Sequence, residues 1–441
     1  MGPVIDPADT DSTLPARVDV VVIGGGIIGV SAALHLARQG HSVLLCEKGK
    51  LAGEQSSRNW GWVRKTGRDL REVPLIIESL RMWGEFNREG LPTGFAECGV
   101  LYVARTDADR EHYQKWLDGV SEYQMGSRII EGDELAGMLP GATKRYGAAL
   151  YTKTDGRAEP QKAVPALASA ARAAGAVIVE NCAVRGLDLT GGRVTGVVTE
   201  RGRVACDSAI MASGAWSRLF CGSLGLRLPQ LKVRSSVLRT SAVSGGPEIS
   251  AWIGDFAYRK RRDGGYTIAN GQANVVPITP DTFKFFFEFL PAAKAERRGL
   301  RLRLDRDFIA EARTPKRWDL DRASPFETVR TLDPDPVERI NDDAMRTLRE
   351  AFPVFRQANV TQQWAGMIDV TPDAVPVISE VDGMPGLVIA TGFSGHGFGI
   401  GPAAGRLAAE IATGRPTVVD PTPFRYSRFT DGSPISLQSG L

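Results

Sequence analysis

The sequence predicts an α/β chain with a second domain built on an antiparallel sheet, and three stretches carry that prediction. Val18 to Glu47 reads as one complete β-α-β unit with a glycine turn inside it. From Leu231 the pattern changes to longer alternating strands, as in an antiparallel meander. Gly386 to Thr413 repeats the opening arrangement: a buried strand, a glycine turn and a helix. At 441 residues the chain exceeds the usual size of one domain, so two domains are expected.

In the opening unit, Val18-Asp19-Val20-Val21-Val22-Ile23 is an apolar run of strand length, rich in β-branched residues. Gly24-Gly25-Gly26-Ile27-Ile28-Gly29 follows it directly, a G-x-G-x-x-G. Val30 to Gln39 reads as a helix with Val30, Ala33, Leu34 and Ala37 on one face, and Gly40 stops it. Ser42 to Cys46 is the second strand, with Glu47 at its end. Gly24 permits the tight turn, Gly26 lets a pyrophosphate approach the backbone, and Gly29 lets the helix pack on the strand. The helix N-terminus offers unpaired N–H groups and partial positive charge to phosphates. Glu47 is placed for ribose hydroxyls and disfavours a 2′-phosphate. A dinucleotide is therefore expected, and the motif by itself fits FAD and NAD equally.

Composition narrows the class of protein. With 43% hydrophobic and 24% charged residues the chain reads as globular. Fifty-four basic against 51 acidic residues give a net charge of +3, which gives no reason to expect nucleic acid. The cluster Arg259-Lys260-Arg261-Arg262 reads as a solvated strand and turn. Five scattered cysteines without C-x-x-C spacing suggest reduced thiols, and four dispersed histidines suggest no metal site. Residues 1–17 form a polar tail with no signal-peptide core, and no apolar run reaches membrane-spanning length. A soluble, cytoplasmic protein is expected, with peripheral membrane association left open.

Between the two glycine units, Leu51 to Arg71 reads as a loop wrapped on a polar, planar ligand, because Ser56, Ser57, Asn59, Trp60 and Trp62 surround Gly61. Pro74 to Glu89 reads as an amphipathic helix with Leu75, Leu80, Trp83 and Phe86 inward. Helices are expected over 107–124, 131–140 and 162–174, and strands over 99–105 and 177–179 and from Val184. Val194 to Thr199 pairs with Arg203 to Cys206 across a hairpin, and Ser208 to Ala212 reads as a separate buried strand before Ser213-Gly214-Ala215-Trp216. Strands follow over 232–240, 256–262 and 265–270. Residues 281–335, rich in phenylalanine, then proline and arginine, read as a lid or an interface helix, followed by a helix from Asp342 to Phe352. A strand from Thr361 to Asp369 leads to Thr371-Pro372-Asp373, and Thr391 to Gly401 opens the last helix. A flavin held along its whole length needs that closing unit, whereas a nicotinamide domain does not.

These pieces together resemble the D-amino-acid oxidase, glycine oxidase and sarcosine oxidase family of FAD enzymes, from Val18 to about Phe429. The resemblance rests on Gly24-x-Gly26-x-x-Gly29 with Glu47, on Ser57-Arg58-Asn59-x-Gly61 and on Ala212-Ser213-Gly214-Ala215-Trp216. Its most specific part is Thr371-Pro372-Asp373 followed by Gly392-Phe393-Ser394-Gly395-His396-Gly397-Phe398. It implies a discontinuous Rossmann-like FAD-binding domain (18–70, 155–230 and 360–429) and an α+β substrate domain on a mostly antiparallel sheet (71–154 and 231–359). It implies flavin contacts at Gly24, Gly26, Ile27, Ile28, Gly29, Glu47 and Lys48, and at Ser56, Ser57, Arg58, Asn59 and Trp60. Further contacts fall at Val184, Ser213, Gly214 and Trp216, and from Gly395 through His396, Gly397 and Phe398 to Gly399.

The resemblance also implies a reaction: oxidation of the C–N bond of an amino acid or N-substituted amino acid, with hydride passing to FAD and the imine then hydrolysing. Oxygen or a quinone would accept the electrons. An oligomer, and a role as the FAD subunit of a hetero-oligomeric opine or sarcosine oxidase or as a flavoprotein acting on a larger substrate, stay open. The sequence departs from relatives at three points. Gly399 stands where monomeric sarcosine oxidases carry a carboxylate-binding lysine, and Ile368 stands near the carboxylate-binding arginine of glycine oxidase. Gly366 and Met367 leave no cysteine for a thioether, so the FAD is expected to be noncovalent. Arg64 is the first candidate for the carboxylate and Arg58 the second; for Arg64 the competing roles are a pair with Asp69 or Glu72, or a flavin phosphate. Tyr258 matches a substrate-contacting tyrosine of glycine oxidase, and His396 either steers a proton or donates a structural hydrogen bond.

Overall fold

The first strand, Arg17–Ile23, is apolar on both faces because it lies inside a sheet covered on both sides. In the computed structural model, which describes residues 2–295 and 299–437, it runs parallel to Val43–Cys46 on one side and to Gly202–Met211 on the other. The eight-stranded sheet continues to Val177–Val179 beyond the second strand. On its other side lies the hairpin of Val184–Thr190 and Arg193–Thr199, with Leu387–Thr391 and Val377–Glu380 attached. One face packs against the helices Ile27–Arg38, Pro160–Ala173 and Gly397–Ala412.

Gly202–Met211 is a single strand, where the sequence suggests a break before Ser208. Its first half closes the antiparallel hairpin, and its second half lies parallel between the first strand and Leu387–Thr391. One strand thus serves both motifs, which local patterning reads as two.

The second sheet has ten strands, in the order 300–303, 274–277, 231–240, 266–270, 256–260, 250–252, 100–104, 148–152 and 127–131, with 360–370 also paired to 231–240. Two of its pairings are parallel, 250–252 with 100–104 and 274–277 with 300–303; the others are antiparallel. The strand Val360–Val370 pairs from Leu231↔Val370 to Thr240↔Val360, so it belongs to this sheet and forms the seam to the first. The helix Glu338–Ala351 covers the face away from the first sheet's turns with Ala344, Met345 and Leu348.

The stretch 281–335 resolves into the helices Pro280–Lys284, Phe286–Ala295, Arg306–Arg313 and Pro325–Thr328 and the strand Leu300–Arg303; residues 296–298 lie outside the described residues. Phe285 is fully buried beneath the guanidinium groups of Arg218 and Arg227, while Phe283, Phe286 and Phe287 are exposed. Among the described residues no helix is long and apolar enough to cross a membrane, the five cysteines are free, and no group of side chains has metal-ligand spacing.

The two helices that follow glycine turns lie in backbone contact. A Cβ at Gly405 would stand 2.6 Å from both the Ala32 nitrogen and the Ile28 carbonyl oxygen, and one at Gly401 would stand 2.6 Å from Ile27 Cγ1. Glycine at these positions sets the N-termini of the first and last long helices side by side.

Candidate functional site

Between the two sheets runs a cavity of about 930 Å³, with the glycine turns at one end and a cluster of charged and aromatic side chains at the other. The glycine end is shaped by close backbone packing. Gly24 has φ +115°, and a Cβ there would stand 2.5 Å from the Ala212 carbonyl oxygen. A Cβ at Gly29 would stand 2.0 Å from the Gly24 carbonyl oxygen. At Gly26 a Cβ would meet nothing nearer than Ser56 Oγ at 3.1 Å, so this glycine faces the cavity. Ser56 Oγ accepts the Ile27 N–H at 2.9 Å, and the Glu47 carboxylate accepts the N–H groups of Gly25 and Gly49 at 2.7 Å each. Burial pushes the Glu47 carboxyl above its ordinary range, although the two N–H groups oppose the rise. Two of its lone-pair positions remain for a diol.

A set of side chains closes this end. Glu54 accepts from Lys48 Nζ, Trp216 Nε1 and the Leu332 N–H, each at 3.0 Å, and Lys48 Nζ lies 4.3 Å above the Trp216 ring. Lys48 also donates to the carbonyls of Val329 and Arg330 at 2.9 Å. The last part of the 281–335 stretch thus lies over the cavity, where Phe326, Arg330 and Thr331 line it.

At the other end, the helix Gly397–Ala412 begins at His396 and points its N-terminus into the cavity. Its turn is braced from below by the buried Asp369, whose Oδ2 accepts from the Gly392 N–H at 2.6 Å, Thr391 Oγ1 at 3.0 Å and Gln230 Nε2 at 3.1 Å. His396 Nδ1 lies 3.2 Å from Glu72 Oε2. Arg68 Nη1 reaches the same carboxylate oxygen at 3.3 Å, and Arg68 Nη2 donates to the His396 carbonyl at 3.2 Å. Burial pushes the Glu72 carboxyl up, and the Arg68 guanidinium together with the His396 imidazole, in its protonated form, outweighs it, so Glu72 is held low. Burial lowers the His396 imidazole despite Glu72, which leaves the ring neutral at pH 7. Burial also lowers Arg68, to about 10, which keeps it cationic.

Arg64 is half-buried and lines the cavity with its guanidinium 5.2 Å above the Tyr102 ring. It donates to the Thr66 carbonyl and has no acidic partner among the described residues. The local acids are taken: Asp69 pairs with Arg71 at 2.7 Å, and Glu72 with Arg68 and His396. Trp60, Trp62, Tyr102 and Trp252 form a continuous aromatic wall beside it, with ring centroids 5.4, 6.1 and 5.5 Å apart in turn. Trp62 Nε1 is buried and has no protein partner.

The cavity brings together most residues singled out from sequence, with four exceptions in role or place. Gly29 and Ser57 do not line it: Gly29 packs helix on strand, and the buried Ser57 hydroxyl donates to the Glu54 carbonyl at 3.2 Å. Arg58 lines the cavity but is committed elsewhere, to Asp333 at 2.6 Å and the Ala365 carbonyl at 2.9 Å, so it is not a free carboxylate anchor. It sits on a short helix, Gln55–Arg58, whose second half is buried, where the sequence suggests only loop. Tyr258 is the clear correction. It is 1% exposed and packs against Phe256, Tyr266 and Phe352, on the sheet face away from the cavity. Its strand neighbour Arg259 points the opposite way, with Nε donating to the Trp60 carbonyl at 2.6 Å.

Arg68, Tyr102 and Trp252 belong to the site and are not picked out from sequence, and Glu72 enters there only as a possible partner of Arg64. Arg68 and Glu72 stand four apart, a spacing that reads as an ordinary local ion pair; the signal was the same Arg-Asp-x-Arg-Glu run.

A family model described as FAD dependent oxidoreductase, DAO, matches residues 19–411. The chain is similar to the structure of L-amino acid deaminase from Proteus myxofaciens in complex with anthranilate, with 33% identity, a TM-score of 0.94 and 97% of each chain covered. It is similar to L-amino acid deaminase from Proteus vulgaris at 32% identity and a TM-score of 0.92, covering 96% of this chain and all of that one. Among curated proteins, 4-methylaminobutanoate oxidase (formaldehyde-forming) of Paenarthrobacter nicotinovorans is 31% identical over 58% of this chain and 32% of its own length. The chain spans between 32% and 46% of the length of that protein and of the dimethylglycine and sarcosine dehydrogenases it also matches.

Proposed function

The chain belongs to the DAO family of FAD-dependent oxidoreductases, and from that premise we propose that it oxidises the C–N bond of an amino acid or N-substituted amino acid at the charged end of the cavity. FAD, when bound, supplies the two-electron acceptor for that oxidation. The observation that carries the substrate reading is Arg64, a cavity-facing guanidinium without an acidic partner among the described residues. A half-buried cation in that state favours a carboxylate, which the guanidinium fork receives in two parallel hydrogen bonds.

The residues of the glycine end fit the dinucleotide. Gly24 and Gly26 bring backbone to the phosphates, the N-terminus of Ile27–Arg38 faces them, and Glu47 takes the ribose. Ser213, Gly214 and Val184 line the same end, while Gly395 to Gly399 line the other. The N-terminus of Gly397–Ala412 favours negative charge at its end of the cavity. Gly366 and Met367 offer no thiol, so the FAD is held noncovalently. The wall of Trp60, Trp62, Tyr102 and Trp252 excludes water and suits a large apolar or aromatic substrate side chain better than glycine.

A second reading, the flavin part of a larger assembly, draws support from the short span of the chain against its first curated relatives. One experiment separates the two. Under anaerobic conditions the purified yellow protein alone is mixed with a panel of amino acids and N-methyl amino acids. Bleaching of the flavin band is expected, strongest with bulky apolar side chains. No bleaching by any member of the panel overturns the first reading. Acid precipitation of the same sample is expected to leave all flavin in the supernatant.

A further inference from the structure

Glu72 ends the single turn Leu70–Glu72 and stands directly before the helix Val73–Arg88, wholly buried. A buried carboxylate is costly unless paired, and here two groups stand beside one oxygen: Arg68 Nη1 hydrogen-bonds it at 3.3 Å, and His396 Nδ1 lies 3.2 Å away as a charge contact outside hydrogen-bond alignment. The other oxygen, Oε1, has no partner. The carboxylate is therefore held for the groups on its Oε2 side. His396 comes from the opposite end of the chain and reaches Glu72 only because the final glycine turn is docked there. With Nδ1 turned to Glu72, the opposite edge of the imidazole, with Nε2, faces the cavity that His396 lines.

We propose that Glu72 is a positioning residue: its carboxylate, 3.2 Å from Nδ1 of His396, draws the ring proton to that nitrogen and so leaves Nε2 unprotonated toward the substrate. This rests on the amino-acid reading of the site. An amino acid arrives as an ammonium, and its nitrogen must lose a proton before the C–N bond is oxidised. His396 Nε2 takes that proton; the substrate becomes a neutral amine, the ring becomes an imidazolium, and no electrons move in this step. Glu72 then faces the imidazolium with its negative charge. The other charged groups acting on the ring are the cations Arg68 and Arg64, which oppose its protonation; both also bear on the Tyr102 hydroxyl. Glu72 is the acid that balances them.

The test uses the flavin-loaded full-length chain. Rates of anaerobic flavin bleaching are measured against pH for the wild type, Glu72→Gln and Glu72→Asp. Glu72→Gln keeps a hydrogen-bond acceptor and removes the charge, so the acid limb of the profile is expected to move to lower pH by about 1–3 units. Glu72→Asp keeps the charge and is expected to return the limb toward the wild-type position. Independently of activity, histidine-selective ¹³C/¹⁵N labelling reads the four imidazoles, and His396→Asn assigns the relevant signal. An Nδ1-protonated His396 whose pKa falls in Glu72→Gln is expected. An unchanged pKa and profile in Glu72→Gln, or an Nε2-protonated ring in the wild type, overturns the proposal. If Glu72→Gln fails to bind flavin, the tautomer of wild-type His396 and the Glu72→Asp profile decide the matter. A wild type that no amino acid bleaches, yet whose His396 signal responds to Glu72→Gln, contradicts the amino-acid reading and leaves the pairing standing.

Discussion

The two ends of the cavity are built from different materials. The glycine end is shaped by backbone: Gly24, Gly26 and Gly29 work by lacking a Cβ, Gly24 and Gly29 against main-chain oxygen and Gly26 against the cavity and the Ser56 hydroxyl. The charged end is side chain: Arg64, Arg68, Glu72 and His396 work by charge and hydrogen bonding, within a wall of tryptophan and tyrosine. An end shaped by backbone fails first through steric clash when a glycine gains a Cβ. An end made of side chains survives substitution as a fold and changes in affinity or proton handling.

Three measurements break or sharpen that contrast. The largest effect is expected at Gly29. A methyl there would stand 2.0 Å from the Gly24 carbonyl oxygen, a backbone atom, and 3.2 Å from Val22 Cγ1. Gly29→Ala is expected to destabilise the chain by about 3 kcal/mol and to empty it of flavin, read as a lower Tm and loss of yellow colour on purification. A variant that keeps both its Tm and its flavin would break the comparison at its strongest point.

Arg64→Ala tests the other end. Removal of a charge-assisted partner is expected to cost about 2–5 kcal/mol of substrate binding, roughly 30- to several-thousand-fold in KM, with flavin content unchanged. Arg64→Lys keeps the charge without the fork and should fall between. KM equal to wild type in Arg64→Ala removes Arg64 from the substrate site.

The smallest effect lies behind the glycine end. Burial, helped by Arg406, Arg415 and Arg38, lowers His35 from 6.5 to about 4. Between those values the unfolded chain binds a proton that the folded chain does not, so stability is lost as pH falls through that window and then levels off. The loss from this group is about 1–3 kcal/mol. His35→Gln is expected to flatten the fall in Tm between pH 7 and pH 4.5. A variant whose Tm falls as steeply as wild type assigns the acid sensitivity to other groups.

The same contrast explains how much the sequence told. Glycine turns are legible because a position that forbids a Cβ writes itself directly into the sequence, and strand and helix periods on either side confirm the context. Side-chain clusters are legible only when they are local. His396 and Glu72 meet from opposite ends of the chain, so neither points to the other in sequence. Arg58 and Arg64 look alike on one loop, and only the fold turns one to Asp333 and leaves the other facing the cavity. Tyr258 failed for the plainest reason: side chains alternate along a strand, and resemblance at one position does not fix which face it occupies. Likewise, the alternation after Leu231 predicts an antiparallel meander, whereas the addition of 100–104, 127–131, 148–152 and 360–370 to that sheet depends on pairings far along the chain.

The glycine contacts at Gly401 and Gly405 tie the last long helix to the first, residue by residue. During synthesis the helix Ile27–Arg38 emerges long before its neighbour Gly397–Ala412. Until that neighbour arrives, one flank of Ile27, Ile28 and Ala32 has no partner, and the turn that follows Ile23 opens onto half a cradle. Long-range closure of this kind is slow because the intervening chain must be ordered first. Flavin capture is accordingly expected only after the helix Gly397–Ala412 has been made and has docked.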